Sequence, residues 1–226
     1  MLNNYYDIIH GLKSNHLVPL NDHIKLTPST SEAFKKLAAK AKEDANLDLE
    51  VASGYRDFSR QNLIFSEKFL GKRVILDKNE VPLDLTNISD EAKIRAILYF
   101  SAIPGLSRHH FGTDIDIYAK NLLPPDGKLE LTNIEYSVGP QAPLSAWLKE
   151  NMKDFGFFLP YSKKSDLISN ELWHLSFYEE ANCYTDALNL EESLDFLEQQ
   201  KIIGLDILQK ILTTEFKERI KLYPKF

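Results

Sequence analysis

Cysteine is almost absent from this chain: Cys183 is the only one in 226 residues. That excludes a disulfide framework within the chain and a cysteine-based zinc knuckle. An isolated cysteine is expected to be a small buried apolar residue rather than a nucleophile. Long apolar runs are missing too, and nothing approaches the ~20 residues of a membrane-spanning helix. The start, Met1 to Asp7, has neither a basic stretch nor an apolar stretch, so it is not a signal peptide. Two expectations follow: a cytoplasmic protein, or an envelope protein whose leader has been trimmed. There is no block of like charge and no basic patch interleaved with aromatics, so a nucleic-acid partner is not expected. No internal repeat or low-complexity tract is present. The formal net charge of -6 suits a neutral or cationic peptide better than a polyanion.

With 43% hydrophobic residues, the chain can build one sizeable core. A single domain over residues 1–226 is expected, with its centre at about 27–180 and a helical extension at about 186–226. Thr27-Pro28-Ser29-Thr30-Ser31-Glu32 carries helix-start chemistry, and Phe34, Leu37, Ala38, Ala41 and Ala45 then recur at helical spacing. Leu47 to Ser53 alternates and predicts a strand running into Gly54-Tyr55-Arg56. Helices are predicted over Phe58–Leu70, over Asp90–Phe100, and around Leu144, Trp147, Leu148 and Phe155, the last closed by Gly156. Residues 71–88 are expected to form a loop or small hairpin. Residues 121–140 turn at Pro124-Pro125-Asp126-Gly127. Asp114–Tyr118 predicts a strand with Asp114 and Asp116 on one face and Ile115 and Ile117 on the other. Glu171–Phe177 is expected to be a central strand. Two or three helices are expected after Leu188, completing the core. The fold class is therefore α+β, a small, mainly antiparallel sheet with flanking helices.

Two short segments carry chemistry. The first is Ser107-Arg108-His109-His110-Phe111-Gly112-Thr113-Asp114-Ile115-Asp116; the second is Glu171-Leu172-Trp173-His174. Together they offer imidazoles and separate carboxylates, an inventory that suits a catalytic zinc with three protein ligands and a general base beside it. His109 in a loop and Asp116 on the following strand can converge if the chain turns at Gly112. His110, next to His109, is an alternative ligand. Glu171 and His174, three apart, would point to opposite faces of a strand unless a bulge or the strand end intervenes.

The order Ser-Gly-Tyr-Arg, then Ser-x-His-x-x-Gly-x-x-x-Asp, then Glu-x-Trp-His resembles the zinc D-alanyl-D-alanine carboxypeptidases and dipeptidases of the VanY and VanX type. Their metal-site fold is shared with the Hedgehog signalling domain. The resemblance covers roughly residues 50–178. It implies a Zn2+ cofactor held by His109, Asp116 and His174, with Glu171 as catalytic base and Arg56 steadying the scissile carbonyl. It also implies substrate contacts from Ser107, Tyr55, Gln61 and Trp173. Asp114 departs from the family's usual alanine, and it is expected either to orient a ligand imidazole or to make a plain structural hydrogen bond.

The implied activity is hydrolysis of the terminal D-amino acid from peptidoglycan stem peptides or muropeptides, with the cell envelope as its compartment. An L,D-carboxypeptidase and a cross-link endopeptidase or lysin are alternatives on the same fold. A non-catalytic zinc-binding module is an alternative of another class. Loops 71–88 and 119–140 are expected to set substrate preference. Tyr5, Tyr6, His16 and His23 lie in a segment, residues 1–26, that could also reach the cleft.

Overall fold

The structure is a computed structural model, described for residues 5–162 and 165–222. The ends of the predicted single domain, residues 1–4 and 223–226, lie outside that description. Helix α1 (Tyr6–Ile9) precedes a short hairpin of β1 (Val18–Pro19) and β2 (Lys25–Leu26). Helix α2 (Pro28–Ala45) begins where its chemistry predicts. Thr27 Oγ1 accepts from the Thr30 amide, Pro28 occupies the first turn, and Asn46 ends the helix at φ 52°. Strand β3 (Leu49–Ser53) leads to α3 (Phe58–Phe69), capped by Asp57, and α4 (Asp90–Phe100) is capped by Ser89. Between α3 and α4, the predicted loop or hairpin is closed by one antiparallel bridge, Leu76 to Pro82.

Strand β4 (Asp114–Ala119) follows a 3-10 turn at Arg108–His110, so His109 sits on a turn of helix rather than in a loop. The Pro124–Gly127 turn is present, with the Gly127 amide donating to the Pro124 carbonyl. A five-residue helix, α5 (Asn133–Ser137), follows it and carries no periodic signal that would have announced it. Helix α6 (Ala142–Asn151) passes through a further 3-10 turn to Gly156 at φ 77°. Strands β5 (Phe157–Phe158) and β6 (His174–Phe177) complete the main sheet, in the order β3-β4-β6-β5, antiparallel throughout. The architecture is α+β, as expected.

The predicted strand at Glu171–Phe177 is shorter than its sequence suggested. Glu171 to Trp173 form a turn, the His174 amide donating to the Glu171 carbonyl at 3.3 Å, and the strand itself begins at His174. Helices α7 (Tyr178–Ala187), α8 (Leu190–Gln200) and α9 (Leu205–Ile220) end the described chain. Cys183 on α7 is exposed, which corrects the expectation of a buried cysteine. It falls on the outer face of a helix whose buried positions are Ala181 and Thr185.

Two apolar cores flank the main sheet. Ile115, Ile117 and Leu175 point to one side and pack with Phe34, Leu37 and Ala41 of α2 and Leu144 and Leu148 of α6. The second core gathers Phe65, Ile94, Ile97, Phe196, Leu208 and Ile211 from α3, α4, α8 and α9. Strand alternation turns Asp114, Asp116, His174 and Ser176 away from the first core, and all four are buried.

Candidate metal centre and active site

Strand register brings distant residues together. Asp116 on β4 lies opposite Ser53 of β3 on one side and His174 of β6 on the other. Directly paired residues project side chains to the same face about 5 Å apart. The Asp116–His174 meeting is therefore a consequence of pairing, although 58 positions separate them. His109 arrives from the 3-10 turn. Its Nδ1–H donates to the Gly54 carbonyl at 2.8 Å, and its own carbonyl accepts from the Arg56 amide at 3.1 Å. That leaves Nε2 to face Asp116 Oδ2 at 3.3 Å. Two glycines permit this. A Cβ on Gly54 would lie 2.9 Å from Ile24 and Leu26, and Gly112 turns the chain at φ 77°.

On the other side, His174 Nε2–H donates to Asp114 Oδ1 at 2.9 Å. Its Nδ1 faces Asp116 Oδ1 at 3.2 Å and Glu171 Oε2 at 3.4 Å. Asp114 itself accepts from Arg108 Nε at 2.8 Å, from the Thr113 hydroxyl at 2.8 Å and from the Ser176 hydroxyl at 3.0 Å. The carboxylate that departs from the family pattern is thus fully occupied, holding His174 by its far nitrogen. Arg108 is buried behind it, with further bonds to Ser176 and Thr185.

The electrostatics follow from this packing. Burial pushes the Asp116 carboxyl up, but the facing imidazoles of His109 and His174 outweigh it and hold the group well below the usual carboxylate range. Burial likewise opposes ionisation of Asp114, and Arg108 and His174 overcome it in the same way. His109 is pushed down by burial and by Arg56. For His174, burial acts downward, and the bond to Asp114 with the facing carboxylates of Asp116 and Glu171 carries it well above the ordinary imidazole value.

The donor set fits zinc. One ligand atom from each of His109, Asp116 and His174 lies within 4.8 Å of the others. The 3.2 Å between Asp116 Oδ1 and His174 Nδ1 matches the about 3.3 Å between ligands of a tetrahedral zinc with bonds near 2.0 Å. Asp116 Oδ1 is buried and lacks a hydrogen-bond donor of its own, as a ligand oxygen would. His110 does not compete. Its Nδ1–H donates to the Arg56 carbonyl at 2.6 Å, and its Nε2 accepts from the Gly105 amide at 3.1 Å.

A cavity of about 480 Å³ opens on this cluster, and Arg56, Ser107, Tyr161, Glu171 and Trp173 are among its walls. Arg56 is held at three points: Nε by Ser53 Oγ, one Nη by Gln61 Oε1 and the other by Asp116 Oδ2, each at 3.1 Å. Gln61 is buried behind Arg56 and also donates to the Ala102 carbonyl at 3.0 Å. It braces the arginine and is not among the cavity's walls. Tyr55 also lies off the cavity, its hydroxyl directed toward the Gly11 and Lys13 carbonyls. The residue next to Arg56 in an extended segment faces the opposite way. Trp173 does reach the site and packs on Tyr136 with ring centroids 5.5 Å apart. Among the described residues, none of 5–26 lines the cavity, whereas Arg73, Leu76, Glu130 and Leu131 from the two loop regions do. Sequence reasoning missed Arg108, whose only signal was a cation six residues before an extra acid. It missed Tyr161 as well, whose ring meets His174 edge-on at 4.9 Å. Burial pushes the Tyr161 phenol up to about 12.

Comparison with known proteins agrees with this centre. Residues 23–180 match the VanY family, described as D-alanyl-D-alanine carboxypeptidase. A D-alanyl-D-alanine carboxypeptidase of Enterococcus faecium is 23% identical over 211 residues, covering 89% of this chain and 55% of that enzyme. The fold is similar to that of VanYB in complex with D-alanine-D-alanine. That likeness has a TM-score of 0.56 at 24% identity and covers 86% of this chain and 96% of that one. It is similar too to a mutant of the vancomycin-resistance D,D-pentapeptidase VanY in complex with Zn(II), with a TM-score of 0.52 at 26% identity. There the coverage is 79% of this chain and 88% of that one. A family match over most of the chain, falling on a buried donor set with zinc-like spacings, leads to one conclusion: the chain belongs to the VanY family of D-alanyl-D-alanine carboxypeptidases.

Proposed function

We propose that this chain removes the terminal D-alanine from peptidoglycan stem peptides by metal-assisted hydrolysis. The observation that carries the reading is the convergence of Asp116, His174, His109, Glu171 and Arg56 on one cavity. His109 Nε2, Asp116 and His174 Nδ1 would hold zinc. When bound, zinc supplies a Lewis acid that draws the pKa of water towards ~7 and polarises a carbonyl. Glu171, whose Oε2 lies 3.4 Å from His174 Nδ1, takes the proton from the attacking water and returns it to the leaving amine. Arg56, its guanidinium braced by Ser53, Gln61 and Asp116, donates to the carbonyl oxygen as negative charge develops there. Ser107 and Trp173 line the substrate side of the cavity. A structural zinc module would require neither a free carboxylate nor a braced arginine in that cavity. The substrate class places the work at the cell envelope. Among the described residues, no helix is long and apolar enough to cross a membrane.

The test is mass spectrometry of defined muropeptides incubated with zinc-loaded protein, with Glu171→Ala as control. Loss of the terminal D-alanine from a pentapeptide stem supports the reading. Loss only from a tetrapeptide stem would replace it with an L,D-carboxypeptidase, and cleavage of dimers with an endopeptidase.

A further inference from the structure

Among the described residues, the cavity is lined by five lysine and arginine side chains, and four of them have a carboxylate partner. Arg56 pairs with Asp116 at 3.1 Å, Arg73 with Glu67 at 2.5 Å, Arg108 with Asp114 at 2.8 Å and Arg219 with Glu215 at 2.7 Å. Lys68 is the fifth. Among the described residues, no carboxylate lies within 4.0 Å of it, and its Nζ donates only to Ser101 Oγ, at 2.6 Å. The lysine is half-buried, so water offers it limited compensation. Desolvation pushes its ammonium down to about 8, with the Glu171 charge acting against that shift and Arg56 and Arg73 adding to it.

Its place in the fold explains how it reaches the site. Gln61, Ile64 and Lys68 stand three and four residues apart on α3 and share one helix face. Gln61 braces Arg56 at one end, Ile64 forms the wall, and Lys68 closes the other end against Ser101, the residue that follows α4. Long helical side chains lean toward the helix N-terminus, here toward Arg56. A peptide whose scissile carbonyl meets Arg56 would carry its last residue along this wall.

We propose that Lys68 is the anchor for the free α-carboxylate of the substrate's terminal residue, and that it makes a free C-terminus a requirement. The inference rests on the carboxypeptidase reading above. An ammonium without a carboxylate partner among the described residues gains a charge-assisted hydrogen bond when a carboxylate arrives. A C-terminal amide or a continuing peptide would leave it without one, at the cost of a desolvated charge. The same residue therefore supplies binding and discriminates against internal bonds.

Two stem peptides, identical except for a terminal D-alanine as free acid or as amide, test this on the zinc-loaded protein and on Lys68→Met. The free acid is expected to be strongly preferred by the unsubstituted protein. In Lys68→Met, KM for the acid rises by about 10- to 100-fold while kcat and zinc content hold, and the acid-over-amide preference collapses. Lys68→Arg restores part of that preference. Should Lys68→Met fail to fold, Lys68→Gln, which can still donate to Ser101, is expected to show the same collapse. Retention of the wild-type acid-over-amide ratio in a folded, zinc-replete Lys68 variant would overturn the role of Lys68 alone. Equal cleavage of acid and amide by the unsubstituted protein would do the same. Failure of the zinc-loaded protein to cleave either peptide would overturn the carboxypeptidase reading, and the inference with it.

Discussion

The two sides of the main sheet do different work. On the α2–α6 side, Ile115, Ile117, Leu175 and Phe157 meet an apolar layer. On the other side, Asp114, Asp116, His174 and Ser176 form a polar face that is equally buried, roofed by the helical core built on Phe65, Ile97 and Phe196. Burial of a polar face is tolerated because each acid has a designated partner. The family match ends at residue 180, so α8 and α9, which complete that roof, lie beyond it. The comparison separates a sheet face that aligns the candidate metal ligands through strand register from a helical half that shapes the cavity's far wall.

Substitutions on the two sides should break in different ways. The largest effect belongs to the sheet face. Glu171→Ala is expected to keep its zinc and lose about 10²- to 10⁴-fold in kcat, whereas His174→Ala loses zinc and turnover together. Metal analysis beside kinetics separates them, and near-normal activity in Glu171→Ala would remove that residue from the role of base. Next, Arg108→Met strands Asp114 without its cation. A stability loss of about 3–5 kcal/mol is expected, because an uncompensated buried charge remains. Zinc affinity should fall about 10- to 100-fold as His174 loses its orientation. Urea unfolding and metal titration measure both, and Arg108→Met with Asp114→Asn should cost less than the two single changes summed.

The helical half should show the converse. Phe196→Ala opens a cavity against Phe58 and His10, at about 3–5 kcal/mol in stability, with zinc content of the folded fraction unchanged. The smallest effect concerns pH. His10 is buried, stacked on Phe196 with centroids 4.1 Å apart, and donates Nδ1–H to the Gly105 carbonyl at 2.8 Å. Burial lowers its pKa below the ordinary value of 6.5. The unfolded chain therefore binds the proton more readily, so this contribution is complete above pH 6.5 and is lost as pH falls below it. Urea midpoints at pH 7.5 and 5.5 should show that decline, and His10→Gln should reduce its slope. An unchanged slope would remove His10 as a source.

Much of the secondary structure was legible because local signals and tertiary packing agree. Thr27-Pro28 and Ser89 start α2 and α4 where capping chemistry says they should, and Asn46 and Gly156 stop elements with positive φ. The failures have local causes. The apolar flank of Glu171 looked like strand, yet the chain turns there, and that turn is what lets Glu171 and His174 share one side of the site. For Tyr55 and Gln61, motif position did not say which way the side chains face: one turns to the Gly11 carbonyl, the other braces Arg56. Cys183 shares a helix with buried residues and happens to lie on the outer face.

The sequence by itself determined the candidate donor residues, their order along the chain and the family the chain belongs to, because these depend on residue types and short spacings. Tertiary structure alone decided that Asp116 stands in register with His174, that Arg108 and Asp114 hold that imidazole from behind, and that Lys68, among the described residues, is the cavity cation without a carboxylate. Each of these depends on contacts between residues more than thirty positions apart or on the absence of such a contact, and no periodicity within a single element encodes them.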